Sequence, residues 1–143
     1  MPPGEDDMEL LNRAIAHPWL CDMMGHLTTR FYVGMFDDAS YVLLSRSTGW
    51  SGDDPAWAGM GWADVRNEIE YKDEVPAGAL VEIFGAIAKV GNSSLETRYE
   101  MRRASSGALA ATLAAKTVFF DLKQRKATPL TDEMRKGIER FSQ

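Results

Sequence analysis

Between Arg30 and Thr48 the chain repeats its apolar residues at helical spacing, and beyond Gly61 it changes to alternation. Phe31, Met35 and Val42, with Phe36 and Leu43 beside them, fall on one arc that Tyr32, Ala39 and Leu44 widen. Asp37, Asp38, Ser45 and Arg46 fall largely on another. That pattern predicts one long amphipathic helix, apolar over a wide arc. Thr28 and Thr29 supply N-cap chemistry and Gly49 a natural stop. Gly34 costs such a helix about 1 kcal/mol relative to alanine, so it is read as a point of close backbone contact with a sheet.

The rest of the chain reads as strands and turns. Leu10 to Trp19 alternates imperfectly and is taken as a first strand. Trp50 to Gly61 is rich in Gly, Asp and Pro and carries two tryptophans, which predicts a loop or flap. Three strands follow, or four if Trp62 to Tyr71 is counted separately. Lys72 to Gly78 is a turn, Ala79 to Val90 alternates, and Gly91-Asn92 is a hairpin signal. Ser94 to Arg103 returns, Ser105-Ser106-Gly107 turns again, and Ala108 to Asp121 is the last strand. Its Ala-rich middle would suit a helix, but Thr117-Val118-Phe119-Phe120 is strongly β. Thr131 to Phe141, within the final segment 131–143, reads as a short C-terminal helix. The order predicts an α+β domain in which an antiparallel sheet of about five strands wraps one long helix. One domain is expected over 1–143, with a loose acidic tail over 1–9.

Composition removes several function classes. The net charge is -5, which is unsuited to non-specific nucleic-acid binding. The single cysteine, Cys21, makes neither an internal disulfide nor a multi-thiolate metal site, and a reducing compartment is the simplest inference. No apolar run is long enough for a membrane span, and Met1 to Asp7 lacks the parts of a signal peptide. A cytoplasmic protein without membrane association is expected.

The segment Asp22-Met23-Met24-Gly25-His26-Leu27-Thr28-Thr29-Arg30-Phe31-Tyr32, followed by Phe36-Asp37-Asp38-Ala39, resembles the hotdog-fold acyl-CoA thioesterases of the 4-hydroxybenzoyl-CoA thioesterase and YbgC type. The spacing from Asp22 to Tyr32 and Ala39 matches that family without a gap. Later landmarks agree: Tyr71, the turn ending at Gly78, Gly91-Asn92-Ser93-Ser94, Thr117 to Asp121, and Pro129. The likeness runs from about Leu10 to Leu130. Thr28 and Thr29 stand where many relatives carry asparagines, and the Trp-rich loop has no counterpart role.

The resemblance implies a catalytic site at Asp22, Gly25, His26 and Thr29. Asp22 takes the catalytic carboxylate position, as general base or as nucleophile. The Thr29 backbone amide takes the oxyanion-donor position at a helix N-terminus. His26 hydrogen-bonds the aspartate, orients substrate or supports the turn; a structural histidine is the plain alternative. Tyr32, Phe36 and Trp62 are candidates for the acyl pocket. Cys21 is read as a core residue, because its side chain and that of Asp22 point to opposite faces of an extended segment. Asp37 and Asp38 are read as the polar face of the helix, although another hotdog branch carries its carboxylate there. Lys89, Arg98, Arg102, Arg103, Lys123, Arg125 and Lys126 are candidates for meeting CoA phosphates, with solvated surface as the plain reading of each.

The implied activity is hydrolysis of an acyl- or aryl-CoA to free acid and CoA, with no cofactor and no metal. The implied assembly is a homodimer or homotetramer, since an unpaired sheet edge is a liability. Two alternatives stand beside it. One is a non-catalytic acyl-CoA-binding hotdog protein. The other is an enoyl-thioester hydratase or dehydratase, whose Asp-x-Asn-Pro-x-His element this chain lacks.

Overall fold

A computed structural model describes residues 7–142. Most of the expected loose tail therefore lies outside the described residues. Its inner end does not fit the expectation, since Met8 is buried and Glu9 opens the first strand. That strand, β1 (Glu9–Ile15), is shorter than expected. Pro18 has no N–H to give a ladder, and Pro18–Leu20 forms a 3-10 turn instead.

The long helix α1 (Thr29–Thr48) comes next, ending at Gly49 with φ of 80°. Only glycine takes that left-handed stop without strain. Thr28 stands at the N-cap position, but its side chain makes no capping bond, contrary to the sequence expectation. The Trp-rich segment is not an open flap. Pro55–Trp57 is a 3-10 turn, Trp50 Nε1 donates to the Met60 carbonyl at 3.0 Å, and Trp57 meets Phe119 edge-on.

Four long strands complete the sheet: β2 (Met60–Tyr71), β3 (Leu80–Val90), β4 (Ser94–Arg103) and β5 (Leu109–Asp121). A two-residue β6 (Lys126–Ala127), which the sequence did not suggest, pairs with the end of β5. The pairing is antiparallel throughout, in the order β1-β3-β4-β5-β2. The short helix α2 (Asp132–Glu139) is capped by Thr131, whose Oγ1 accepts from the Met134 amide at 3.2 Å.

Alternation decides which face of the sheet meets α1. Val81, Ile83 and Ile87 on β3 are buried, as are Leu95, Thr97, Tyr99 and Met101 on β4. The joint between helix and sheet depends on Gly85. A Cβ there would stand 2.5 Å from Tyr99 Cδ1 and 2.7 Å from Leu11 Cδ1. Its absence lets the Tyr99 ring lie against the strand, and that ring meets Phe36 of α1 at 6.3 Å. At the far end of α1 a second glycine, Gly137 of α2, faces the Ser47 carbonyl so closely that no side chain would fit.

Gly34 does not make the close contact expected of it. It lies on the exposed side of α1, and nothing stands within 4 Å of where its Cβ would be. Gly34→Ala is therefore expected to stabilise the chain by about 0.5–1 kcal/mol. Thermal unfolding should then shift upward by about 2–4 °C. A downward shift would mean that another chain covers this helix face.

The outer edge of β2 pairs with nothing among the described residues. No helix among them is long and apolar enough to cross a membrane.

Candidate active site

The turn from Asp22 to Thr28 is built by its own backbone. The Asp22 N–H donates to the His26 carbonyl at 2.9 Å, and the Gly25 N–H to the Asp22 carbonyl at 3.0 Å. Gly25 sits at φ of 80°, which explains a glycine at the apex. The Asp22 side chain completes the turn, with Oδ1 accepting from the amides of Met24 at 2.9 Å and His26 at 3.2 Å. One carboxylate oxygen is thereby fixed. Among the described residues the other accepts no hydrogen bond.

Straps hold the turn against the rest of the fold. The Leu27 N–H donates to the Val75 carbonyl at 2.7 Å, and the Ala77 N–H to that of Gly25 at 2.9 Å. His26 contributes twice. Its amide reaches Asp22, while its imidazole Nε2 lies 3.2 Å from Glu74 Oε2. The His26 ring lies against Glu74 and makes no hydrogen bond to the Asp22 carboxylate among the described residues.

α1 begins immediately after the turn. The Thr29 N–H is its first amide and finds no acceptor among the described residues. First-turn amides of a helix have no intrahelical partner and carry the positive end of the dipole. Asp22, His26, Thr29, Tyr32, Tyr71 and Glu74 together line one cleft of about 470 Å³. Tyr32 is 3% exposed and meets Tyr71 edge-on at 5.1 Å. Burial pushes the Tyr32 hydroxyl above its ordinary pKa, reinforced by Tyr71, Asp73 and Glu74.

Within one chain the other two acyl-pocket candidates do not join this cleft. Phe36 is fully buried in the helix–sheet core. Trp62 packs on Phe119 at 5.1 Å, at the opposite end of β2 from Tyr71. Nine strand steps separate them, about 30 Å. Cys21 turns away from the cleft, its Sγ 3.4 Å from the His17 carbonyl. Asp37 faces a separate slot between α1 and β2, shared with Asp64. Burial first, then Asp64 and Asp38, raise its carboxyl pKa.

The candidate phosphate-binding cations are spread over the surface. Lys89 lies 3.9 Å from Glu96, Arg102 is held by Glu100 at 2.7 Å, and Arg125 stacks over Phe120 at 5.2 Å. Sequence reasoning passed over Lys72 and Glu74 as ordinary turn residues, yet both line the cleft. Only the strand order, which brings the end of β2 beside the start of α1, gives them that place. Among the described residues no three His, Cys, Asp or Glu side chains gather to hold a metal ion.

Residues 16–138 match the family model of the thioesterase-like superfamily. No curated protein matches the chain. Solved structures are similar over nearly its whole length. A Staphylococcus aureus protein characterised in complex with CoA superposes with a TM-score of 0.84 at 15% identity, over 94% of this chain and 84% of its own. A 1,4-dihydroxy-2-naphthoyl-CoA thioesterase from Synechocystis gives 0.77 at 20% identity, over 90% and 94%. A DHNA-CoA thioesterase from Staphylococcus aureus gives 0.77 at 19%, over 91% and 86%. With the hotdog arrangement of sheet and helix in place and the family match covering most of the sequence, this chain belongs to the thioesterase-like superfamily.

Proposed function

We propose that the protein is an acyl-CoA thioesterase that uses Asp22 and the Thr29 amide on one thioester. The observation that carries this reading is their shared cleft: a carboxylate with one oxygen anchored and one open, beside an unpartnered amide at a helix start. As a base, Asp22 takes a proton from water, and the resulting hydroxide adds to the thioester carbonyl. As a nucleophile, its open oxygen adds to that carbon and forms a mixed anhydride, which water then cleaves. In either route negative charge develops on the carbonyl oxygen, where the Thr29 N–H donates to it. CoA leaves as the thiolate and is protonated to the thiol.

The solved relatives support CoA thioesters as the substrate class, since one holds CoA and two are named as CoA thioesterases. A homodimer, or a tetramer built from dimers, is part of the proposal. The unpaired β2 edge is its physical support, because a second copy would satisfy that row of amides and carbonyls.

The direct test is release of free thiol from a panel of acyl-CoAs. Stabilisation by an acyl-CoA without thiol release would point to a binding module instead. Asp37→Asn serves as the comparison, since Asp37 lies on α1 outside the cleft. That variant is expected to keep kcat/KM within about twofold of wild type, as for surface changes away from a site. A large loss there would move the working carboxylate to the helix.

A further inference from the structure

We infer that the cleft takes a short acyl group, and that Tyr32 and Tyr71 set the limit. The inference rests on the thioesterase reading of that cleft. Within one chain, an acyl group that enters beside Asp22 and Thr29 and lengthens inward runs between α1 and β2, toward the slot that both elements line. Tyr32 and Tyr71 stand across that path, one from each element, packed edge to face. Tyr32 cannot swing out cheaply, because it is 3% exposed and fixed in the core.

The space behind this wall is also unsuitable, for two separate reasons. It is a slot of about 20 Å³ beginning at Val33, Phe36 and Ile69. That is room for about one water molecule. Polar side chains interrupt its otherwise apolar lining: Asp37, Ser40, Asp64, Asn67, Thr97 and Thr117. Among the described residues, Thr117 Oγ1 is buried there with no hydrogen-bond partner. Methylenes in the slot would strip water from these groups and return no hydrogen bond. Size and polarity thus agree that a chain ends against the two tyrosines.

The test uses S-alkyl-CoA thioethers, which bind without being cleaved, from S-ethyl through S-butyl, S-hexyl and S-octyl to S-dodecyl. Each methylene that finds an apolar surface tightens binding about fourfold. In the wild type the dissociation constant should fall over the first members and level off by S-octyl-CoA. Tyr71 is not part of the hydrophobic core within one chain, so Tyr71→Ala opens the wall without emptying that core. In that variant the gain should continue by about 15-fold from S-hexyl to S-octyl, two methylenes further. Affinity that climbs steadily to S-dodecyl-CoA in the wild type, no dependence on chain length at all, or an unchanged profile in Tyr71→Ala overturns the inference. Thiol release by the wild type tests the underlying reading separately, so failure of one is not mistaken for failure of the other.

Discussion

Asp22→Asn lowers kcat/KM for thioester hydrolysis by about 10²–10⁴-fold and leaves the fold in place. The magnitude is that of removing a positioned proton acceptor from the reacting centre. The choice of asparagine follows from the geometry. Oδ1 of Asp22 accepts two backbone bonds, and an amide oxygen in the same place accepts them equally. The turn should therefore persist, along with the placement of Thr29, and the melting temperature should stay within a degree or two. Only the acceptor at the open oxygen is lost, replaced by an NH₂ group that neither takes a proton nor attacks carbon. Full activity in this variant would show that another group does the chemistry.

Phe36→Ala is the second large effect, and it falls on stability. Phe36 is fully buried, meets Tyr99 and thereby joins α1 to the sheet at Gly85. Truncating a buried phenylalanine costs about 3–5 kcal/mol, through lost transfer energy and the cavity left behind. Against a total stability of about 5–15 kcal/mol that is a large share. The melting temperature should drop by about 10 °C or more, at roughly 3 °C per kcal/mol for a chain of this size. Phe36→Leu keeps most of the volume and should lose far less. If Phe36→Ala instead melted like wild type and only raised KM, Phe36 would be a substrate contact, as its aromatic character first suggested.

Phe36 also marks where sequence reasoning reaches its limit. Periodicity places it on the apolar arc of α1, and the structure has it there, buried. Which part of a wide apolar arc meets the sheet depends on Tyr99 and Gly85, far along the chain, and no local pattern encodes it. The same holds for Trp62. An aromatic near the start of a strand looks available for a pocket, but it is the other end of β2, at Tyr71, that meets the helix start at Tyr32. By contrast the Asp22 turn was legible because it is local. Its glycine, its aspartate and the helix after it act within a few residues, so the family resemblance could be matched there without a gap, although the residues alone would not have singled out Asp22. Glu74 was not legible, since its partnership with His26 exists only once β2 has brought the 72–75 segment across. Gly34 failed for another reason: a helix glycine signals either close packing or mere tolerance, and here it is tolerance.

The length of α1 has a consequence for how the protein can change. Its twenty residues span about 30 Å, with the Asp22 cleft at one end and the α2 contact at Gly137 at the other. Substitutions that far apart, sharing no neighbours, combine almost additively. Stability gained around α2 and the Trp-rich segment can therefore offset losses incurred by remodelling Tyr71 or the turn. This separation gives the scaffold evolvability, since new acyl preferences can be explored at one end while the other keeps the chain folded.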